Sequence, residues 1–271
     1  MARRDIIVIG GSAGALEVLP TLVAKLPHDL QAAVFIVLHI SPARESLLPH
    51  ILTRAGRMPA SQPADHERIK YGQIYVAPPD QHLILENRHI SLVHGPKENR
   101  SRPAIDPLFR SAAVNYGPRV IGVLLSGSLD DGTAGLRAIK QRGGITIVQD
   151  PADAIYQGMP ESAIYNNSVD HIVKADAIAS LLRQLVGEEI REKEGSESMS
   201  GDLRKEDELL KQRLEPAKMI ETTDELGQLS MFTCPECQGT LWELKDGELL
   251  RYRCHAGHAY SIDPEKVLAA G

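Results

Sequence analysis

Five apolar runs rich in β-branched residues punctuate the first two thirds of the chain. They are IIVIG (6–10), AVFIVLH (33–39), QIYVAP (73–78), VIGVLLSG (120–127) and GITIVQ (144–149). Each is continuous rather than alternating, the pattern of strands covered on both faces, and together they predict a mostly parallel, doubly wound sheet. Helix-like segments separate several of them, at Ala15 to Leu26, Leu47 to Ala55, Pro107 to Asn115 and Thr133 to Gln141. That alternation predicts an α/β domain, Rossmann-like in its winding. The segment HLILENRHISLVHG (82–95) departs from the rhythm: two short runs flank Asn87–Arg88, which predicts an antiparallel hairpin attached to the sheet.

The pattern changes after residue 186. From 187 to 229 the chain is charged, poor in aromatics and interrupted by Gly and Ser, which reads as a linker, helical around Asp202 to Leu214. The stretch 230–271 holds all three cysteines and the only tryptophan, and reads as a small separate module. The expected division is therefore a main domain over 1–186, a linker over 187–229 and a module over 230–271.

Composition narrows the function classes. The 271 residues give room for one sizeable α/β core with something smaller attached. A net charge of -6 argues against a nucleic-acid partner. No run approaches the ~18 consecutive apolar residues of a membrane span. No secretory h-region follows the two arginines near the N-terminus. A cytoplasmic protein without membrane insertion is expected, and three clustered cysteines are too few for a disulfide framework.

The first glycine turn carries candidate chemistry. Glycines at 10, 11 and 14 do not satisfy the dinucleotide spacing, and no Lys-Ser/Thr follows as a P-loop requires, so a nucleotide-binding module is the weaker rival. They do satisfy G-x-S-x-G, the strand-turn-helix elbow that exposes a serine hydroxyl. Ser12 follows the first run, His39 ends the second, and Asp131 follows the fourth. In a parallel sheet these strand ends share one edge, where open α/β folds build their sites. A serine needs an imidazole to take its proton, and the imidazole needs a carboxylate to hold its tautomer. Plainer readings exist: a turn-forming Ser12, a strand-capping His39, and Asp131 or Asp130 as the N-cap of the next helix. Asp106 and Arg110, four apart, read as an intrahelical ion pair.

Near the C-terminus, Cys234 and Cys237 form C-P-E-C, and Cys254 to His258 form C-H-A-G-H. A C-x-x-C knuckle, a hairpin-sized segment and a C-x3-H pair predict a tetrahedral structural zinc site at Cys234, Cys237, Cys254 and His258. His258 is preferred over His255, which adjoins Cys254. A redox C-x-x-C and unpaired thiols are the alternatives. A core this small needs such a staple to fold. With no basic cluster beside it, the module is expected to dock protein rather than nucleic acid.

Residues 5 to about 184 resemble the catalytic domain of the chemotaxis protein-glutamate methylesterases, the CheB family. The resemblance runs through the ordered blocks IGGSAGALE, VLHISP, GQIYVAPPDQHL, SRPAIDPLFRSAA, GVLLSGSLDDGTAGL and GGITIVQDPADAIYQGMPESAI. It implies Ser12 as nucleophile, His39 as base and Asp131 as orienting carboxylate, with no cofactor for catalysis. The implied reaction hydrolyses γ-glutamyl methyl esters on chemoreceptors, releasing methanol, and often deamidates receptor glutamines. Implied partners are a methylated chemoreceptor-type protein and a methyltransferase. Backbone amides around Ala13 and Ser128 are the expected oxyanion donors, and Arg102 is a candidate contact for the glutamyl backbone or an acidic receptor surface. Family members usually carry threonine where this chain has Ala13, and methionine where it has Ser128. The best-known members place a phosphorylatable receiver domain ahead of the catalytic one. Here the catalytic pattern opens at once, so another trigger is expected. A non-catalytic scaffold of a chemosensory-type system is the alternative from another class.

Overall fold

The structure, a computed structural model, describes residues 2–40, 45–190, 201–211, 216–246 and 249–261. In chain order the main domain contains β1 (Ile6–Gly11), α1 (Ala15–Ala24), β2 (Ala33–Leu38), α2 (Leu48–Ala55), β3 (Ala60–Ser61) and β4 (Ile74–Val76). There follow β5 (His82–Glu86), β6 (His89–Val93), α3 (Ile105–Tyr116), β7 (Val120–Leu124), α4 (Thr133–Gln141), β8 (Ile145–Gln149), α5 (Gly158–Asn166), β9 (His171–Val173) and α6 (Ala175–Gly187). Seven strands form one parallel sheet in the order β3-β4-β2-β1-β7-β8-β9.

The unbroken apolar runs have a direct cause. Ile7 and Ile9 of β1 enter one core with Leu19 and Leu22 of α1 and Leu182 of α6. Ile6 and Val8 enter the opposite core with Leu108 and Phe109 of α3 and Ile139 of α4. Both faces of the strand are covered, so neither set of alternate positions can be polar. The edge strands β3 and β9, two and three residues long, leave too little pattern to read in sequence.

The predicted hairpin forms at β5 and β6, but as a separate two-stranded sheet rather than an extension of the large one. The reason lies in α3. Its Ser111 Oγ accepts the Leu85 amide at 3.0 Å and its Asn115 Nδ2 donates to the Leu85 carbonyl at 2.9 Å. Side chains of a helix thus occupy the strand edge that another strand would have used.

Beyond residue 200 lie α7 (Gly201–Lys211), α8 (Pro216–Leu226), β10 (Gln228–Thr233), β11 (Thr240–Asp246), β12 (Leu249–Cys254) and β13 (Ala259–Tyr260). The four strands form an antiparallel sheet around Cys234, Leu241, Tyr252, Cys254 and Tyr260. Composition predicts a charged linker with helix around Asp202 to Leu214, and α7 falls there, docked on the rest of the chain. Leu203 joins the core that contains α3, and Glu206 is buried in ion pairs with Arg251 and Arg110. Residues 191–200, 212–215 and 262–271, which the expected linker and module include, lie outside the described residues, as do Ser41 and Pro42 of VLHISP.

Candidate active site

The sheet order reverses at β1, whose two neighbours are β2 and β7. Crevices form at such switch points, beyond the carboxyl ends of the strands. β1 ends at Gly11 opposite Leu38, so Ser12 and His39 leave adjacent strands side by side, about 4.8 Å apart by strand spacing. Ser12 N–H donates to the Ser126 carbonyl at 3.0 Å, which ties the elbow to the end of β7. The turn needs its glycines. Gly14 has φ 81°, in the left-handed region, and a Cβ there would lie 2.6 Å from Ser126 Oγ. A Cβ on Gly127 would lie 2.8 Å from Met159 Cε and 3.0 Å from Ser12 Cβ.

His39 is joined to Asp131 by a 2.7 Å hydrogen bond between Nε2 and Oδ2. Asp131 is 1% exposed, and its remaining lone pairs are taken too. Oδ2 also accepts the Ile105 amide at 2.7 Å, while Oδ1 accepts the Asp106 amide at 3.1 Å and Asn99 Nδ2 at 2.9 Å. The carboxylate therefore caps α3 as well as holding the imidazole, and the positive helix terminus favours its charge. Burial alone would push this carboxyl up. The hydrogen bond and charge of His39, with the Ile105 amide and Asn99, outweigh it and hold Asp131 below the usual carboxylate range. Asp106 moves the other way, raised well above its ordinary value by burial and the charge of Asp131. Asp131 is thus the member of the pair kept ionised, an acceptor only, so His39 Nε2 carries the hydrogen. Nδ1 remains as the ring nitrogen able to receive a proton.

Asp130, the alternative to Asp131 in sequence, is buried without touching His39. Burial and the Asp131 charge push its carboxyl up to about 7. Ala13 follows Ser12, Ser128 follows Gly127, which packs against Ser12, and among the described residues the N–H of neither Ala13 nor Ser128 has an acceptor. Arg102 is engaged elsewhere: its guanidinium binds Asp80 through Nε at 2.9 Å and Nη2 at 2.7 Å, and the Gly95 carbonyl through Nη1 at 2.6 Å. His82, fully buried, donates from Nε2 to Pro96 O and accepts the Ala104 amide at Nδ1, bracing the chain before α3.

The expected Asp106–Arg110 pair does not form. Asp106 Oδ1 accepts the amides of Gly132 and Gly135, at 3.0 and 2.7 Å, and Oδ2 accepts Asn99 Nδ2 at 2.8 Å. Arg110 instead binds Glu98 by a two-pronged contact of 2.8 and 3.2 Å. Ten of the twelve residues of α3 are buried, so side chains four apart face different neighbours rather than shared solvent. Asn99, Glu98 and Ser126 carry no signal in the sequence that marks them for the site. Ser126 Oγ donates to the Ala13 carbonyl at 2.8 Å and accepts the Tyr156 amide at 2.9 Å, fixing the residue after Ser12.

In the C-terminal sheet, the thiols of Cys234, Cys237 and Cys254 and the imidazole of His258 present four donor atoms within 4.8 Å of one another. Sγ–Sγ is 3.6 Å for Cys237–Cys254, and Sγ–Nδ1 is 3.7 Å for Cys234–His258 and 3.4 Å for Cys254–His258. Tetrahedral zinc bonds predict edges of about 3.8 Å between sulfurs and about 3.6 Å from sulfur to nitrogen. The donor set fits a metal ion of that size.

The doubly wound sheet brings Ser12, His39 and the buried Asp131 to its carboxyl edge, an arrangement of the kind ester hydrolases use. Comparison with known proteins narrows that class. The family described as CheB methylesterase matches residues 7–182, and the chain belongs to it. A relative from Leptospira interrogans is 38% identical over 182 residues, 67% of this chain and 94% of its own length. The protein-glutamate methylesterase/protein-glutamine glutaminase 2 of Anaeromyxobacter dehalogenans is 35% identical over 184 residues, 68% of this chain but 54% of that one. The crystal structure of the Thermotoga maritima CheB methylesterase catalytic domain superposes with TM-score 0.66 and 32% identity, over 69% of this chain and all of that domain. No described helix is long and apolar enough to cross a membrane.

Proposed function

We propose that the chain hydrolyses γ-glutamyl methyl esters on a chemoreceptor-type protein, with Ser12 as nucleophile. The observation that carries this reading is the His39–Asp131 hydrogen bond at the end of β2, beside Ser12 on the elbow of β1. Ser12 Oγ attacks the ester carbonyl as His39 Nδ1 takes its proton. The tetrahedral oxyanion faces the free amides of Ala13 and Ser128, where each donor is worth roughly 3–4 kcal/mol by analogy with a protease. His39 returns the proton to the leaving methoxide, and methanol departs. Water, activated by the same nitrogen, then releases the glutamate carboxylate. A glutamine side chain enters the same sequence with ammonia as the leaving group.

Leu129, Ile155 and Tyr156 leave apolar surface exposed around this edge, suited to the aliphatic stem of a glutamyl residue. Arg102, held by Asp80 and Gly95, is better suited to bracing that rim than to contacting substrate. We keep the working division at 1–186, 187–229 and 230–271, a cytoplasmic setting, and a methyltransferase as second partner. Cys234, Cys237, Cys254 and His258 would hold a zinc ion, which supplies a cross-link in the module and no reaction chemistry. Methanol release from a methylated receptor fragment, wild type against Ser12→Ala, tests the reading. Release that depends on Ser12 supports it; equal release from both variants overturns it.

A further inference from the structure

The C-terminal module reaches Asp106 directly and Asp131 through Asn99. Asn99 is held by it at two atoms. Its N–H donates to the Ala259 carbonyl at 2.8 Å, and its Oδ1 accepts the Ser261 amide at 3.1 Å. Because a backbone N–H must meet the amide oxygen, Ser261 also sets which way the Asn99 carboxamide points. Nδ2 is left facing two carboxylates, and donates to Asp106 at 2.8 Å and to Asp131 at 2.9 Å. Ser261 Oγ adds a direct 3.2 Å bond to Asp106. Asn99 sits at φ 47°, a left-handed conformation that surrounding contacts must hold in place.

The same turn carries the thiolate and imidazole cluster. Cys254 and His258 bracket Gly257, whose carbonyl accepts Arg253 Nη1 at 2.9 Å, while Arg253 Nη2 reaches Glu98 at 2.9 Å. Glu98 directly precedes Asn99. From metal ligands to catalytic aspartate the path is one turn, one ion pair and one carboxamide.

Resting on the esterase reading of the Ser12 site, we propose that Asn99 is a positioning residue for Asp131, set by the C-terminal module, so that metal occupancy of the Cys234–Cys237–Cys254–His258 cluster controls turnover. A filled cluster fixes the Cys254–Ser261 segment and aims Asn99 between the two carboxylates. An empty one releases that segment, and Asp131 loses a donor to its ionised form.

The test uses the full chain, zinc-loaded or stripped with a chelator under reducing conditions, with metal content measured. The readouts are methanol release from a γ-glutamyl methyl ester peptide and the pH profile of Ser12 labelling by a fluorophosphonate. Stripping lowers kcat about tenfold or more, the worth of a hydrogen bond to a charged group, with KM unchanged, and zinc restores it. Asn99→Ala starts at the low kcat, does not respond to stripping, and shifts the labelling profile. Should stripping unfold the module, Ser261→Pro carries the test, since it removes the backbone N–H that orients Asn99 and leaves every metal ligand in place; its labelling profile shifts as that of Asn99→Ala does. An active loaded enzyme whose kcat ignores stripping, or variants with a wild-type labelling profile, overturns the coupling alone. A loaded wild type that neither releases methanol nor labels at Ser12 overturns the esterase reading and the coupling with it.

Discussion

His39 meets Asp131 through Nε2, at 2.7 Å, which leaves Nδ1 as the ring nitrogen able to take a proton. In the best-studied serine proteases the two ring nitrogens have the opposite assignments. The chemistry is unchanged, because either nitrogen can be the base once the other is fixed. Asp131→Asn should lower kcat by about 10⁴-fold by turning the imidazole to the wrong tautomer. Unlike its protease counterpart, it should also lower Tm, because Asp131 accepts the first amides of α3. Kinetics and calorimetry on one preparation check both halves.

Ser12→Ala should reduce methanol release by at least about 10³-fold. Tm should stay unchanged, since none of the described contacts of Ser12 uses its hydroxyl and its amide bond to Ser126 is retained. Fluorophosphonate labelling followed by mass mapping checks that Ser12 is the modified atom's residue.

Gly127→Ala places a methyl 3.0 Å from Ser12 Cβ and 2.8 Å from Met159 Cε. Overpacking of this kind costs about 1–3 kcal/mol. The expected result is a lower urea midpoint together with a lower kcat, because Ser12 itself is among the atoms that must move.

Asp130 gives a pH signature. Burial and the charge of Asp131 raise its carboxyl to about 7 from an ordinary 3.8. A raised carboxyl contributes stability while protonated, below its unfolded value, and that contribution is lost as pH rises through about 7. Asp130→Asn should therefore raise Tm at pH 8 and leave it nearly unchanged near pH 3.5. Equal gains at both pH values would refute the assignment.

Glu98 and Glu206 lean the opposite way. Burial would raise both, but Arg110 and Arg253 around Glu98, and Arg251 with Arg110 around Glu206, lower them to about 2. Their contribution is present above the ordinary value of 4.5 and is lost as pH falls from there toward 2. Glu98→Gln strands two buried guanidinium groups and should cost about 3–5 kcal/mol at pH 7 in urea unfolding. The variant's stability should change less than wild type's between pH 5 and pH 3.

The parallel strands and the edge shared by Ser12, His39 and Asp131 were open to reading because each rests on local pattern: apolar runs, and the residue that ends each run. Asn99 was not, because its role depends on Ser261, 162 positions away, and a lone asparagine before SRPAID carries no signal of that contact. Arg110 misled for a related reason. A four-residue spacing implies pairing only on a surface helix, and α3 is enclosed. The stretch around Glu206 reads as a charged linker, and composition cannot tell a hydrated carboxylate from one clasped by arginine.

The pieces around Asp131 come from residues 12, 39, 99, 131 and 261, and a ribosome delivers them in that order. The parallel sheet and α3 can assemble early, since domains fold as units during synthesis. Asn99 would then wait, beside two carboxylates already in place, for the last strand to arrive. On the proposed coupling, a nascent chain would hold its serine in the elbow before Asn99 was aimed, and full turnover would come only when Ser261 closed over Asn99.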